Sequence, residues 1–409
     1  MKKTSRFAAC AVWCVSILLA AAAACGPAQP ADAEDTGAGP ARVVAIGDVH
    51  GAFPEFVQIL QKMGLINDKL QWSGGTTVFV QTGDVPDRGP ATRAALDLLM
   101  RLESEAPKQN GRVIPLLGNH EVMNMMGDTR YVSVEDYRSF ATDQSEKRQA
   151  EEWEDYKKFV SQHGHPVDDQ GRAQWSAEHP PGFFERRDAF GPEGVYGRWL
   201  REHDAIAEVD DALFMHGGLD PKLHFRNIDD LNHHIHNELE SFDTTWKSLC
   251  GKNVVWPYMT LSEAFRQAKA DWDQSGSNNP ADRGDLQKLL SLPSGLLMAE
   301  NSPFWYRGLA LQPEEKLDKD VDKMLSRLKV HYLVAAHTVR PKFDITSRFD
   351  KRVFLIDTGM LKAYFGGRAS ALEFKDGRVT AYYADAAPQV LVGPGAATAA
   401  GGGAGDSRQ

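Results

Sequence analysis

The alternation of apolar and amphipathic segments between residues 42 and 117 constrains the fold of this chain more than any other feature. Three apolar runs of strand length are rich in β-branched residues: RVVAI (42–46), TTVFVQ (76–81) and GRVIPLL (111–117). They are separated by FPEFVQILQKMGLI and PATRAALDLLMRLESEA, which carry apolar residues at helical spacing. A βαβαβ order of this kind forms a parallel sheet with helices on its faces. The chain is therefore predicted to contain an α/β core.

Each of these three strands ends in a short polar loop: GDVHG, GDVPDRG and GNHE. The loops at the carboxyl ends of parallel strands lie side by side, and ligands bind at that edge of the sheet. Since one βα unit separates each loop from the next, Asp48, Asp84 and Asn119 are expected to meet at one place. The glycines around Asp48 and His50 permit a tight turn and a close approach of a ligand to the backbone.

The second half of the chain contains further strand-like runs, two of which also end in a polar residue. ALFMHGG ends in His216 and HYLVAAHT ends in His337. RVFLIDTG and SALEFKDGRVTAYYAD follow, and Asp376-Gly377 in the latter is a strong signal for a hairpin. At least two of the later strands are therefore expected to be antiparallel, which makes the predicted fold class α/β with α+β character.

Residues 127–190 and 225–300 have a different pattern. They are rich in charged and aromatic residues, as in SEKRQAEEWEDYKKFV and LSEAFRQAKADW, and are typical of helices with one solvated face. Neither region contains an apolar strand followed by a polar loop. We interpret both as helical insertions that cap the site at the strand ends.

The amino-terminal part of the chain predicts export. Residues 1–24 begin with three basic residues and continue as an uncharged apolar run, which indicates a signal peptide; a short membrane anchor is the alternative. The sequence AAAAC at its end is similar to a bacterial lipoprotein signal and would place a lipid on Cys25, although conventional cleavage after an A-x-A site stays open. Residues 25–41 are rich in Pro, Gly and Ala and predict a flexible linker. The expected location is the bacterial cell envelope or periplasm, with membrane attachment through Cys25.

The composition of the rest of the chain limits the domain organisation and the kinds of partner that can be expected. Residues 42–387 suit one large domain, and residues 388–409 predict a disordered tail because they contain too little apolar surface to fold. In a mature lipoprotein Cys250 would be the one thiol left, so no intramolecular disulfide is expected. The formal net charge of −10 at pH 7 argues against nucleic acid as a partner. An anionic substrate must then be attracted locally, by arginines or metal ions.

The polar residues at the strand ends suit a metal site. Carboxylates and imidazoles are ligands for Mn²⁺, Fe or Zn²⁺, and a mixed set of oxygen and nitrogen donors argues against a thiolate site. GDVHG alone is equally typical of a capping Asp and a turn His. Five polar clusters, each at the end of an apolar strand, favour metal binding. They contain Asp48 and His50; Asp84, Asp87 and Arg88; Asn119, His120 and Glu121; His216; and His337.

The order of these motifs resembles a known family. GDxHG, GDxxDRG, GNHE, HGG and a late H-T are similar to the phosphoprotein phosphatase branch of the calcineurin-like metallophosphoesterases, over about residues 43–385. PFWYRG (303–308) is most similar to the Shewanella-like and bacterial phosphatases. The resemblance implies a central β-sandwich of mixed sheets flanked by helices. Pro86 replaces an aliphatic residue of the family and Ala336 replaces a frequent glycine, and neither change removes a ligand.

The resemblance also implies roles for the motif residues. Two divalent metal ions are expected, Mn²⁺ first and Fe or Zn²⁺ as alternatives. Asp48 and His50 would bind one ion, Asp84 would bridge both, and the second ion would be held by Asn119, His216 and His337. Arg88, Arg307 and Asn119 would bind the phosphate of the substrate. His120 would be the general acid that protonates the leaving oxygen, with Asp87 holding its imidazole.

The function implied is hydrolysis of phosphate monoesters by a hydroxide shared between the two metal ions. The substrates expected from the resemblance are phosphoproteins or phosphopeptides, carrying phosphotyrosine or phosphoserine and phosphothreonine. Small phosphate esters and dinucleoside polyphosphates are the enzymatic alternatives. A metal-dependent binding lipoprotein without turnover is a third alternative, disfavoured because His120, Asp87 and Arg88 are all present. No partner chain is predicted.

Overall fold

The fold is seen in a computed structural model that describes residues 42–164, 167–274 and 280–394. Two mixed β-sheets face one another, and helices pack on their outer faces. The predicted fold class, a sandwich of mixed sheets flanked by helices, is confirmed. The predicted signal peptide (1–24) and linker (25–41) lie outside the described residues.

The first sheet combines the predicted parallel strands with the predicted hairpin. Its strands are β1 (Arg42–Ile46), β2 (Val78–Gln81), β3 (Arg112–Pro115), β9 (Ser370–Lys375), β10 (Arg378–Tyr383) and β11 (Ala386–Val392). Their order is β11-β10-β9-β1-β2-β3, with β1, β2 and β3 parallel and the other pairs antiparallel. Asp376 and Gly377 join β9 to β10 with φ of 51° and 68°, as a two-residue turn of type I′ requires.

The second sheet also has parallel strands at its centre. Its strands are β4 (Ile206–Val209), β5 (Ala212–Met215), β6 (Tyr332–Ala335), β7 (Thr346–Arg348) and β8 (Val353–Leu355). The order is β4-β5-β6-β8-β7, in which β5, β6 and β8 are parallel. The antiparallel strands β4 and β7 form the two edges.

Alternate residues of the strands form the core between the sheets, because side chains of a strand point to opposite faces in turn. Val43 and Ala45 of β1 face this core, whereas Val44 packs toward the helices on the other side. Phe374 lies edge-to-face against both Phe214 and Phe354, each with ring centroids 5.9 Å apart. The rings join β9 of the first sheet to β5 and β8 of the second.

The helices of the described residues lie between and around these strands. They are α1 (Phe53–Lys62), α2 (Thr92–Glu105), α3 (Asn119–Met125), α4 (Val134–Phe140), α5 (Ser145–Gln162), α6 (Asp169–Glu178), α7 (Phe183–Phe190), α8 (Val195–Leu200), α9 (Ile228–Gly251), α10 (Leu261–Gln274), α11 (Pro280–Ser291), α12 (Gly308–Leu311), α13 (Glu314–Leu328) and α14 (Lys362–Phe365). Short 3₁₀ segments follow α2 and α11, at Ala106–Gln109 and Leu292–Ser294. Among the described residues, no helix has the length and apolarity that a membrane span requires.

The first insertion is a bundle of five helices, α4 to α8, two of which begin at a residue whose side chain caps the helix. Ser133 and Asp168 accept a backbone N–H of the first turn of α4 and α6, the usual arrangement at a helix start. The helices run to Leu200, beyond the boundary at 190 that the sequence indicated. The second insertion contains α9, α10 and α11. None of its described residues lines the cavity at the strand ends. Its helix α9 packs on β4, where the side chain of Asn232 donates to the backbone carbonyl of Ile206 at 2.9 Å and accepts from its N–H at 3.2 Å.

The predicted start of the tail at residue 388 is wrong, because β11 extends to Val392 and pairs with β10. Residues 387–390 of this edge strand are exposed, so the amino-acid composition gives little indication that a strand forms here. Backbone hydrogen bonds to β10 hold the strand in place, with an irregular register opposite Pro388, which has no N–H to donate. Residues 395–409 lie outside the described residues.

Candidate active site

The polar loops at the strand ends surround one cavity of about 270 Å³. It lies at the carboxyl ends of parallel strands of both sheets, where the sequence predicts a site. Residues from every predicted cluster line the cavity or contact its lining. The lining includes Asp48, His50, Asp84, Arg88, Arg307 and His337.

Glu121 holds two of the loops against each other. Its carboxylate accepts hydrogen bonds of 2.8 Å from the backbone N–H groups of Gly118, Asp84 and Val85. The loops approach so closely that a Cβ on Gly83 would lie 2.3 Å from the nitrogen of Gly118. Glycine is therefore required at position 83, which also has φ of +86°.

Several site residues have a backbone conformation that costs energy. For residues other than glycine a positive φ is uncommon, and it persists where the surrounding structure enforces it, most often at functional sites. The backbone N–H groups of Val49 and His50 both donate to the carbonyl of Asp84 at 2.9 Å, which fixes two of these residues. The site residues with positive φ are His50 (50°), Asp84 (56°), Asp87 (73°), Arg88 (64°) and His337 (64°).

One group of metal-ligating atoms converges on Nε2 of His216. Nδ1 of this ring lies 3.0 Å from the carbonyl of Thr82, which can only accept, so Nδ1 carries a hydrogen. Nε2 then faces two acceptors, Oδ1 of Asn119 at 2.8 Å and Oδ2 of Asp84 at 3.3 Å. It also faces Nδ1 of His337 at 3.1 Å, which presents a lone pair in one of the two tautomers of that ring. When the imidazole is neutral, these lone pairs repel one another unless a cation lies among them.

A second group shares Asp84 with the first. Nδ1 of His50 faces the carbonyl of Pro86 at 3.1 Å, which turns Nε2 toward the site. Nε2 lies 3.7 Å from Oδ2 of Asp48 and 3.6 Å from Oδ2 of Asp84. The ligand atoms of His50, Asp84 and His120 lie within 4.8 Å of one another, as do those of Asp84, His216 and His337. Asp84 therefore belongs to both groups.

The electrostatics of the site also fit bound cations. Burial and the carboxylate of Asp357 raise the pKa of Asp48 well above its usual range. Burial lowers the pKa of His216, but Asp84 and Asp48 outweigh this and raise it to about 9. Burial and the neighbouring His120 lower the pKa of His50 to about 3. Without cations the carboxylates and imidazoles must adjust their protonation to coexist, whereas cations would satisfy them in their ligating forms.

The donor set decides which cations fit. Carboxylates, an amide oxygen and imidazoles suit Mn²⁺, Fe and Zn²⁺, and no cysteine lies among the donors. Backbone carbonyls orient His50 and His216, which is the usual support for a metal-ligating imidazole. The residues present therefore fit a dinuclear divalent metal site.

His120 stands apart from the ligands because of its partners. Its Nδ1 donates to Oδ2 of Asp87 at 2.6 Å, and its Nε2 lies 3.2 Å from Nη2 of Arg88. Burial lowers the pKa of His120, but Asp84 and the hydrogen bond to Asp87 outweigh it and raise this pKa. Next to a guanidinium, Nε2 is well placed to meet an oxygen that Arg88 binds and poorly placed to bind a further cation. The geometry favours an acid over a ligand at this position.

Arg88 is surrounded by aromatic rings. Its guanidinium carbon lies 4.7 Å from the ring centre of Tyr131, 5.0 Å from that of Tyr364 and 5.3 Å from that of Phe365. Its Nε is buried and has no hydrogen-bond partner among the described residues. We name Tyr131, Tyr364 and Phe365 the aromatic rim. A guanidinium with an unused N–H donor at the edge of an anion-sized cavity is suited to bind phosphate oxygens.

Arg307 also lines the cavity and lies at the start of α12. It donates to the carbonyl of His337 at 2.9 Å and to Oγ1 of Thr338 at 3.1 Å. These bonds use Nη1 and leave the rest of the exposed guanidinium available to an anion in the cavity. All ten residues that the sequence proposed for the site are thus found at or next to one cavity.

Two residues at the site were not proposed from the sequence. Asp357 is 2 % exposed and lines the cavity, and its pKa is raised to about 6, mainly by burial. Its run, RVFLIDTG, follows the same pattern of apolar strand, acidic residue and glycine as the loops that were recognised. Arg186 lies in α7 of the first insertion and contacts Asp87. No local pattern in FFERRDAF distinguishes it from a surface arginine.

Comparison with known proteins gives a family match over most of the chain. The calcineurin-like phosphoesterase family matches residues 41–341. An uncharacterized protein of Schizosaccharomyces pombe is 30% identical over 81% of this chain and 76% of its own length. The Shewanella-like protein phosphatase 1 of Plasmodium berghei is 25% identical over 78% of this chain and 67% of its own length.

Two further similarities extend this result. The Shewanella-like protein phosphatase 2 of Arabidopsis thaliana is 31% identical over 53% of this chain and 57% of its own length. The crystal structure of a cold-active protein tyrosine phosphatase from a psychrophilic Shewanella species superposes with a TM-score of 0.55 at 23% identity. The match covers 86% of this chain and 81% of that chain. At this identity the structural likeness is evidence for the fold alone.

Proposed function

This chain belongs to the calcineurin-like phosphoesterase family, a family of hydrolases, and we propose that its substrates are phosphorylated side chains of proteins, with phosphotyrosine preferred. The observation that carries this proposal is the position of Arg88. It lies beside the metal-ligating residues and is at the same time flanked by the aromatic rim. A phosphate bound there would have its ester group among aromatic rings.

The metal-ligating residues would hold two divalent cations, with Mn²⁺ our first choice. Asp48 and His50 would bind one cation, Asn119, His216 and His337 the other, and Asp84 both. When bound, such cations lower the pKa of water and neutralise charge on a phosphoryl group. Arg88 and Arg307 both line the cavity and would orient the phosphate through N–H donors.

His120 would supply the proton that the leaving oxygen needs. Its Nδ1 is held by Asp87, so Nε2 would carry the proton to be transferred. In the structure Nε2 accepts from Nη2 of Arg88 at 3.2 Å, a donor that a bound phosphate would take over. Burial lowers the pKa of His120, whereas Asp84 and the hydrogen bond to Asp87 raise it, and the contribution of Asp87 would remain when cations neutralise Asp84. Asp87 stabilises the protonated ring and fixes its orientation.

The aromatic rim supports phosphotyrosine as the preferred substrate. Tyr131 and Tyr364 are 38% and 58% exposed, so a flat apolar group can reach them from solvent. Phe365 packs on His50 with ring centroids 5.6 Å apart and brings the rim to the metal-ligating residues. Offset or edge contacts between aromatic rings contribute about 0.5–1.5 kcal/mol each beyond their buried area. A phenyl leaving group would therefore gain contacts that a serine side chain cannot make.

The test is a panel of substrates with the full-length protein and Mn²⁺, with and without chelator. The panel holds phosphotyrosine, phosphoserine and phosphothreonine peptides of one sequence, a small alkyl phosphate and a dinucleoside polyphosphate. We expect the highest kcat/KM for the phosphotyrosine peptide and no turnover with chelator. A higher kcat/KM for the dinucleoside polyphosphate, or equal values for peptides and the small ester, would contradict the proposed substrate class.

We also propose that the protein is exported and carries a lipid on Cys25. The support is the sequence of residues 1–25: a basic start, an apolar run and small residues before the cysteine. In a bacterial host, labelling with palmitate should mark the wild-type protein and not the Cys25→Ala variant. A label that persists in Cys25→Ala would exclude this lipid site, and an unlabelled protein cleaved at an alanine would indicate conventional secretion.

A further inference from the structure

Arg186 connects the first helical insertion to Asp87. It lies in α7 and is 1% exposed, although it carries a permanent charge. Its Nη2 donates to Oδ1 of Asp87 at 2.8 Å and its Nε donates to Oδ2 of Asp136 at 2.9 Å. Its Nη1 donates to the side-chain oxygen of Asn124. Three polar partners thus hold the guanidinium in one orientation.

Aromatic side chains enclose this guanidinium. Its central carbon lies 4.8 Å from the ring centre of Phe190, 5.7 Å from that of Phe140 and 5.9 Å from that of Tyr137. All three rings belong to the first insertion and are buried. Away from water, a charge interacts more strongly with its partners than it does at a surface.

The contacts of Asp87 show what this arrangement does. Oδ1 accepts from Nη2 of Arg186, and Nδ2 of Asn124 donates to both carboxylate oxygens, at 3.0 Å to Oδ1 and 2.9 Å to Oδ2. Oδ2 also accepts from Nδ1 of His120 at 2.6 Å. The backbone N–H of Asp87 donates to Oγ1 of Thr92. The backbone N–H of Thr92 in turn donates to Asp136, the second carboxylate that Arg186 binds. A closed network therefore holds both oxygens of Asp87.

We propose that Arg186 is a positioning residue for proton transfer, which fixes Asp87 so that Nε2 of His120 faces the leaving oxygen. This inference rests on the proposed function, because it requires that His120 be the acid. Arg186 itself does not line the cavity and would not touch the substrate. The first insertion would thus take part in the chemistry through one side chain rather than only cover the core.

A purely stabilising role does not account for the charge. Burial of an arginine with two carboxylates has a desolvation cost that often cancels its Coulombic gain, and apolar side chains of similar size stabilise equally well or better. What an apolar side chain cannot do is bind Oδ1 of Asp87. Arg186 uses its charge and its planar set of N–H donors to bind Asp87, and Asp87 in turn binds His120.

The test compares leaving groups. An ester of 2,4-dinitrophenol leaves without protonation, whereas an alkyl phosphate needs the acid. In Arg186→Gln we expect kcat for the alkyl phosphate to fall by about 10- to 100-fold, a part of the effect of losing an acid. For the dinitrophenyl ester we expect a fall of less than about threefold, with KM unchanged for both esters. Arg186→Lys should restore part of the alkyl phosphate rate, because it restores the charge without the fork.

Arg187→Gln is the matched control. Arg187 is the next residue of α7 and donates to the backbone of Met259, away from Asp87. Its loss should not change the ratio of the two rates. An equal fall for both esters in Arg186→Gln, or an unchanged alkyl rate, would overturn the proposal. Should Arg186→Gln fail to fold, Asp136→Asn provides the second variant, because it weakens the hold on Arg186 and keeps the side-chain volume. Asp136→Asn must also slow hydrolysis of the alkyl phosphate more than hydrolysis of the dinitrophenyl ester.

A double variant separates this inference from the function on which it rests. In a His120→Asn background, Arg186→Gln should cause no further loss of kcat for the alkyl phosphate, because both changes act on one step. Independent losses that multiply would overturn the inference. If the wild-type protein hydrolyses no ester with any divalent metal, the proposed function fails instead.

Discussion

The strand-end loops and the first helical insertion (α4 to α8) meet at Asp87 but place their functional residues in different ways. The loops bring ligands together through the sheets: each ligand follows a strand, and backbone hydrogen bonds such as those to Asp84 set the distances. The insertion and the loop before it act through side chains: Arg186 reaches Asp87 from the core of the insertion, and Tyr131, just before α4, lies at the edge of the site.

The difference shows how function can be distributed over a fold. A residue at a strand end has its position set by topology, so its chemistry can be deduced from a short motif. A residue in a helical bundle has its position set by packing among many helices, and no short motif describes that. We therefore expect variants of the loops to remove the reaction and variants of the insertion to modulate it.

Asp84→Asn should have the largest effect. Asp84 lies in both groups of ligand atoms, and its replacement by a neutral amide would weaken both cation sites. We expect kcat to fall by at least about 10³-fold, because metal ions contribute several kcal/mol to such reactions. The checks are the hydrolysis rate and the metal content by elemental analysis. Asp376→Asn, in the turn between β9 and β10, is the control and should keep both. An active Asp84→Asn protein with two metal ions would refute the shared carboxylate.

His120→Asn should come next. It removes the acid but no ligand, so the metal content should remain that of the wild type while kcat for an alkyl phosphate falls by about 10²–10⁴-fold. Single-turnover rates and elemental analysis on the same sample provide both numbers. Loss of metal together with rate would instead make His120 a ligand, in agreement with its place within 4.8 Å of His50 and Asp84.

Asp357→Asn should weaken metal binding without removing it. Asp357 lies next to Asp48, and its pKa of about 6 means that it gains its negative charge as the pH rises through 6. In the wild type, the part of the Mn²⁺ affinity that Asp357 contributes should therefore be lost as the pH drops below about 6, in addition to the loss caused by protonation of the ligands themselves. The variant should bind Mn²⁺ about 10- to 100-fold more weakly at pH 7, as for other residues that support ligands, and depend less on pH. Chelator competition measures both, and identical curves for variant and wild type would exclude this role.

Tyr131→Ala should have the smallest effect of the four. Tyr131 lies in the loop that leads into the first insertion and contacts Arg88 and His120 through its ring. Loss of one contact between the Tyr131 ring and the phenyl ring of the substrate, about 0.5–1.5 kcal/mol, corresponds to about a two- to tenfold rise in KM for a phosphotyrosine peptide. Val134→Ala, an exposed residue at the start of α4, should not change KM. A fall in rate for Tyr131→Ala as large as that expected for His120→Asn would contradict the difference in role between the strand-end loops and the insertion.

Much of the fold and site could be predicted because each rests on local patterns. β1 was placed to the residue, and the order of strands and polar loops indicated a shared edge, since βα units leave few arrangements of the chain. All proposed ligands follow strands, as do Asp87 and Arg88. The same pattern was present at Asp357, where a carboxylate follows β8, and it could have been used.

The rest depends on contacts that a sequence does not display. Arg186 and Arg187 are neighbours with the same side chain, and only the packing of α7 sends one to Asp87 and the other to Met259. β11 has mostly exposed side chains, so its pairing with β10 is a backbone property. The packing of α9 on β4 also cannot be deduced from a local pattern, because it depends on the fold of the complete domain.

The central claim is that five separate loops hold two cations around Asp84. Crystals of the protein grown with Mn²⁺ and measured at the manganese absorption edge would test it directly. We predict two anomalous peaks about 3.5–4 Å apart, one on each side of the Asp84 carboxylate. One peak should lie near Asp48 and His50 and the other near His216 and His337. A single peak, or peaks that Asp84 does not join, would contradict the account.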